Sequence, residues 1–141
     1  MIKVNDCMTR NPKVVRSSGT IAEAMELMRE HQFRHLPVVD VDDPLRLVGI
    51  LSERDIHRAA PSRFLVPGPR DVEDFRNHSV WQIMVRHPVT VRPDDPITWA
   101  MMLFVEKKFG ALPVVDDARL VGILSQIDAL RVLLPLARQG E

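Results

Sequence analysis

Residues 48–56 read VGILSERDI and residues 121–129 read VGILSQIDA. In each, an apolar run rich in Val, Ile and Leu, the pattern of a buried strand, ends at a serine followed three residues later by an aspartate. Ser-x-x-Asp at that point marks a helix start. The serine oxygen accepts from an early backbone N–H, and an acid in the first turn suits the positive end of the helix dipole. A chain that writes the same strand-to-helix corner twice is built from a repeat.

An offset of 76 residues places Met8 on Met84, Pro12 on Pro88, Ile21 on Ile97, Ala24 on Ala100, Met25 on Met101 and Phe33 on Phe109. It also lays Leu36-Pro37-Val38-Val39-Asp40 on Leu112-Pro113-Val114-Val115-Asp116. Past a contracted hairpin loop the offset becomes 73, so that Leu47 to Ser52 falls on Leu120 to Ser125 and Asp55 on Asp128. The chain therefore divides into a first unit over 1–58, a connector over 59–79 and a second unit with a C-terminal helix over 80–141. Pro61, Pro67, Gly68 and Pro69 give the connector its composition.

Each unit reads β-α-β-β-α. Thr20 and Glu23 form a capping box ahead of Ile21, Ala24, Met25 and Met28 at helical spacing, which predicts a helix over 21–31 whose apolar stripe of these four residues faces the unit's own sheet. Leu36 to Val41 and Leu45 to Leu51 make a hairpin around Asp42-Asp43-Pro44, and Ser52 starts the next helix. The second unit repeats this with Asp95 as N-cap and Pro96 as first helical residue. Its turn falls at Asp116-Asp117, and its last helix covers 126–138 and contains Pro135. A unit of roughly fifty residues is marginal alone. The expected fold class is α+β, an α/β sandwich-like body in which the two units pack sheet against sheet.

Composition narrows the function. Of 141 residues 45% are apolar, and nineteen basic side chains balance nineteen acidic ones without a Lys/Arg block, which argues against nucleic acid or an anionic membrane as partner. The single cysteine, Cys7, excludes an internal disulfide and suits a reducing compartment. The first residues lack the apolar stretch of a signal peptide, and the longest apolar run, Trp99 to Val105, is too short to span a bilayer, so the expected location is cytoplasmic.

Met8-Thr9-x-x-Pro12, His35-Leu36-Pro37-Val38-Val39-Asp40 and Leu47-Val48-Gly49-Ile50-Leu51-Ser52-x-x-Asp55, each with its second copy, together resemble the cystathionine-β-synthase (CBS) domain, two of which form a Bateman module. The stretch IHRAAPS at 56–62 is similar to stand-alone bacterial CBS-pair proteins of the acetoin-utilisation type. The resemblance implies a pseudo-twofold pair of units, clefts between them that bind adenosine-containing ligands such as AMP, ADP or ATP, and disc-shaped dimers; it does not imply an enzyme, and neither catalysis nor a required cofactor is expected. It implies a regulatory, ligand-sensing module that signals to an effector protein the sequence does not identify. The rival is a structural interaction protein with degenerate clefts and no nucleotide.

Carried over residue by residue, the resemblance implies that Asp55 and Asp128 contact ribose, and that Ser52 and Ser125 contact ribose or phosphate. The chemistry fits, since a carboxylate can accept from both ribose hydroxyls and a serine hydroxyl can donate to phosphate. Arg34, His35 and Arg54 stand near the first corner as phosphate ligands, whereas their counterparts are Gly110, Ala111 and Ile127. Adenine held at the first corner is expected against Val89, Thr90, Phe109, Gly110 and Ala111. The second corner would use Lys13, Val14 and Phe33, and the first is expected to bind more tightly.

Other constellations carry less. His31 and His35 are four apart, but the helix should end near His31 and no third metal ligand has matching spacing. Ser52, Asp55 and His57 contain triad residue types without a nucleophile elbow, and His57 becomes Leu130 in the repeat. There is no Walker loop or dinucleotide fingerprint. Trp99, Met102 and Leu103 stand where the first unit has Glu23, Glu26 and Leu27, which predicts a homodimer formed through that apolar face.

Overall fold

The computed structural model describes residues 1–60 and 69–141. Of the connector, Pro61, Pro67 and Gly68 lie outside the described residues. In chain order the elements are α1 (Val4–Cys7), β1 (Thr9–Arg10), β2 (Val15–Arg16), α2 (Ile21–His31), β3 (His35–Val39), β4 (Leu47–Ser52) and α3 (Glu53–Ala59). After the connector come α4 (Pro69–Arg76), a 3-10 turn at Val80–Gln82, β5 (Val85–Arg86), α5 (Ile97–Lys107), β6 (Ala111–Asp116), β7 (Arg119–Ser125) and α6 (Gln126–Gln139). The mixed α+β architecture and the hairpin in each repeat agree with the sequence.

The chain forms two compact units, one of Lys13–His87 and one of Met1–Pro12 with Pro88–Glu141. In the Lys13–His87 unit the sheet order is β2-β3-β4-β5, with β2 parallel to β3 and the other pairs antiparallel. Ile21, Ala24 and Met28 of α2 pack with Leu36, Val38, Leu51 and Ile56 in its core. In the other unit β1, β7 and β6 form the sheet, and Val91 bridges Val114 in parallel where the first repeat has β2. Its core gathers Val4, Ile97, Ala100, Phe104, Leu112, Val114 and Leu124.

The division along the sequence at 58 and 80 differs from these units in where the two lead-in segments go. β5 belongs to the second repeat but pairs with β4, as Gly49↔Arg86 and Ile50↔Val85. β1 belongs to the first repeat but pairs with β7, as Thr9↔Ile123 and Arg10↔Gly122. The glycine of each VGIL run makes this possible. A Cβ on Gly49 would stand 2.6 Å from Met84 Sδ and 2.8 Å from the Val85 carbonyl oxygen. On Gly122 it would stand 2.8 Å from Met8 Sδ and 2.9 Å from the Thr9 carbonyl oxygen. The repeated methionine and the repeated glycine are thus one contact, in which a bare Cα admits the crossing strand.

The repeat extends to unusual backbone. Asn11 and His87, at φ 48° and 50°, and Gln32 and Lys108, at 57° and 59°, are left-handed pairs at the same offset. Gln32 and Lys108 each end a helix in that conformation. The shorter second hairpin turns on Asp117 and Ala118, both left-handed at φ 50° and 63°, the geometry of a two-residue type I′ turn.

Three sequence expectations are corrected. Pro96, not Asp95, is the N-cap of α5, and Asp95 instead accepts from the Arg92 N–H through Oδ2 at 2.8 Å. Leu103 is only 8% exposed and belongs to the core, three residues after Ala100 and next to Phe104 at the edge of the buried face of α5. Met25 is 36% exposed. It lines an apolar cavity of about 230 Å³ with Ile56 and His57 of α3, Ala60, and Val72, Phe75 and Arg76 of α4, so the connector helix gives it partners that the sheet does not. Among the described residues no helix is long and apolar enough to cross a membrane.

Candidate functional site

The corner of the Lys13–His87 unit is fixed by a reciprocal pair of hydrogen bonds. Asp55 N–H donates to Ser52 Oγ at 3.0 Å, and Ser52 N–H donates to Asp55 Oδ2 at 2.9 Å. The helix-cap account of Ser-x-x-Asp is therefore satisfied in full. It leaves chemistry over: a hydroxyl that accepts through oxygen keeps its own proton to donate, and a carboxylate engaged through one oxygen keeps the other as acceptor.

Backbone pairing brings the cations to the same corner. Glu53 N–H donates to the Arg34 carbonyl at 2.8 Å, tying the lead-in of β3 to the first turn of α3. His35 then sits in register opposite Ser52. Arg34 and Arg54 are exposed while Ser52, Asp55 and His35 are half-buried. Burial pushes the His35 imidazole below its ordinary pKa, Asp55 pulls it back up, and Arg34 and Arg54 push it down further. Three basic residues thus stand along the chain and the sheet at one capped corner, and the half-buried imidazole among them is shifted toward its neutral form.

The corner in the other unit has the same frame. Asp128 N–H donates to Ser125 Oγ at 3.1 Å and Ser125 N–H to Asp128 Oδ2 at 3.0 Å. Gln126 N–H donates to the Gly110 carbonyl at 3.2 Å, and Ala111 stands in register with Ser125. A contact the sequence did not signal adds to this: Gln126 Nε2 donates to the Phe109 carbonyl at 2.8 Å, fixing the segment through a side chain the first copy lacks. The cations are absent, since Gly110, Ala111 and Ile127 occupy their places.

The remaining expected residues fall at matching positions. Lys13 and Val14 lead into β2 in one unit, and Val89 and Thr90 lead into the Val91 bridge in the other. Phe109, Gly110 and Ala111 lie beside Ser125, and Val89 and Thr90 are exposed. His31 stacks on Phe33 with ring centroids 5.5 Å apart. His57 Nε2 lies 3.9 Å from Glu53 Oε1, one turn earlier on α3.

The CBS domain model of protein families matches this chain twice, over residues 4–62 and 80–135. The chain belongs to the CBS-domain family. A CBS domain-containing protein of Dictyostelium discoideum is 32% identical over 135 residues, covering 94% of this chain and 92% of that protein. The crystal structure of CBSX2 in complex with AMP, a protein of Arabidopsis thaliana, has a TM-score of 0.80 at 31% identity and covers 97% of this chain and 99% of that one. AcuB of Vibrio cholerae has a TM-score of 0.78 at 30% identity over 98% and 94% of the two chains. Several other CBS relatives are longer, and the chain spans about a quarter of their length. The fold is that of a CBS pair, and the resemblance to the acetoin-utilisation type holds.

Proposed function

We propose that this protein is a regulatory CBS pair that binds an adenosine-containing nucleotide and passes its occupancy to a partner protein, without catalysing a reaction. The observation that carries it is the capped corner of the Lys13–His87 unit. Ser52 and Asp55 keep unused hydrogen-bonding capacity there, Arg54 stands between them in sequence, His35 is in register with Ser52, and the Arg34 carbonyl is bonded to the first turn of α3. That AMP occupies the CBSX2 structure supports the ligand class. In this proposal Asp55 and Ser52 hold ribose, Arg34, His35 and Arg54 hold phosphate, and Val89, Thr90, Phe109, Gly110 and Ala111 contact adenine. Ser125 and Asp128, with Lys13 and Val14, serve a second and weaker ligand.

The test is titration calorimetry with AMP, ADP and ATP. Charge-assisted hydrogen bonds are worth roughly 1.5–3 kcal/mol, so Asp55→Ala should weaken the tighter event by at least about tenfold. Asp128→Ala should leave that event nearly unchanged. Equal losses for the two variants, or none for Asp55→Ala, would reject the assignment, and no binding of any of the three would reject the function.

Trp99 and Met102 on α5 are 45% and 49% exposed, whereas Glu23 and Glu26 occupy the matching places on α2. Such an apolar face on one copy alone supports a homodimer formed through Trp99 and Met102, with Leu103 filling the core beneath. Trp99→Glu with Met102→Glu should give a folded monomer in light scattering. A wild-type protein that is monomeric at micromolar concentration would contradict the dimer.

A further inference from the structure

We propose that His35 takes up a proton when the phosphate of an adenosine ligand binds beside it, which makes the Lys13–His87 unit select phosphorylated ligands and couples that selection to pH. This rests on the nucleotide-binding function proposed above and adds a residue-level device to it.

The geometry singles out His35. It begins β3, stands in register opposite Ser52, and is tied to α3 through its neighbour Arg34, whose carbonyl accepts from Glu53 N–H. The charged groups facing it are Arg34 from its own lead-in and Glu53, Arg54 and Asp55 from α3. β4 offers it only the hydroxyl of Ser52. β2, the other neighbour of β3, is paired at Val38 and Val39, so Arg16 lies at the far end, and Lys13 is an exposed residue ahead of β2. Burial most of all, and then the two arginines, oppose a positive charge on the imidazole, and Asp55, with a smaller contribution from Glu53, offsets them only in part.

A phosphate carries about 1.5–2 negative charges near neutral pH. Placed against Arg34, Arg54 and His35, it reverses the balance: the arginines become neutralised neighbours and the imidazolium gains an anion to donate to. The repeat supplies an internal comparison, because Ala111 holds the equivalent position opposite Ser125 and has nothing to titrate. Only the first copy can link a proton to a ligand in this way.

The sign follows from linkage. If the bound state holds more protons than the free state, affinity rises as pH falls through the window between the two imidazole pKa values. AMP itself gains a proton near pH 6, so His35→Gln, which keeps a hydrogen-bond donor but cannot titrate, gives the reference.

Titration calorimetry with AMP at about pH 7, repeated in buffers of different ionisation enthalpy, counts the protons directly. Wild type should take up a measurable fraction of a proton more per tight AMP bound than His35→Gln. Adenosine should bind wild type with no uptake. Between about pH 8 and pH 6.5 the affinity of wild type for AMP should gain roughly three- to tenfold on that of the variant. AMP binding with equal proton uptake in wild type and variant, or uptake with adenosine equal to that with AMP, overturns the role of His35 and leaves the nucleotide function standing. Failure of wild type to bind AMP, ADP or ATP removes both.

Discussion

Gly122→Ala tests the contact on which the crossing of the lead-in strand depends. At an ordinary strand position with negative φ, glycine to alanine stabilises by about 0.4–1 kcal/mol, because the unfolded chain loses freedom. Here the new methyl would meet Met8 Sδ at 2.8 Å and the Thr9 carbonyl oxygen at 2.9 Å. The thioether can swing aside. The carbonyl cannot, since it belongs to β1, which is held to β7 by only two register pairs, Thr9↔Ile123 and Arg10↔Gly122. Restoring an ordinary contact requires β1 to retreat by about half an ångström, an overpacking strain of about 1–3 kcal/mol, and it weakens a ladder bond worth about 0.5–1.5 kcal/mol. After the entropic gain is subtracted, the net loss is about 0.5–4 kcal/mol. For a chain of this size that lowers Tm by roughly 2–14 °C.

Thermal unfolding of Gly122→Ala, Gly49→Ala and a control is the assay. The control is Gly140→Ala, where a Cβ has its nearest neighbour, the Ala137 carbonyl oxygen, at 3.6 Å, an ordinary contact. Both strand variants should melt below wild type and the control should not. Because the two accounts differ in sign, an unchanged or raised Tm for Gly122→Ala would refute the steric role of the glycine.

Two further outcomes follow from the structure. Ala118 holds φ 63° in the second hairpin, which costs an L-residue about 1 kcal/mol, so Ala118→Gly should raise Tm despite the greater freedom of glycine when unfolded; a lowered Tm would show that the turn is unstrained. In the ligand-free protein the His35 pKa is depressed below its ordinary 6.5, so the unfolded chain binds its proton first. Stability from this group is present above pH 6.5 and is lost as pH falls through 6.5 toward the folded pKa. His35→Gln should therefore gain on wild type in Tm as pH is lowered from about 7.5 to 5.5, and parallel curves would show that His35 is not linked to folding.

The hairpins, the capping boxes and the helix spans were legible in the sequence because each has a local cause. A side-chain oxygen three residues from an acid, or a run of β-branched residues ended by a turn, acts within one element. The exchange of the lead-in segments was not legible, since strands of two residues and a helix of four carry no periodicity. Their partners are chosen by fit against Gly49 and Gly122, and no local pattern sets which methionine crosses which glycine. Leu103 and Met25 were misassigned for a related reason. A stripe drawn at fixed spacing has an edge, and the neighbouring elements decide on which side of it a residue falls. For Met25 that neighbour is α4, which has no counterpart in the second repeat.

The candidate site divides in the same way. Its frame, Ser52 with Asp55 and Ser125 with Asp128, is local and was visible as two capping boxes. Those boxes show no preference for a ligand, because the same four hydrogen bonds would form in a protein that bound nothing. What distinguishes the corners lies in the residues that the repeat does not conserve between its own copies: Arg34, His35 and Arg54 against Gly110, Ala111 and Ile127. In the proposed function the shared frame fixes where a ligand is held, and these three positions decide which charge it brings. Duplication leaves the first property in both copies and allows the second to diverge, so within one chain the second corner serves as the reference against which the chemistry of the first is measured.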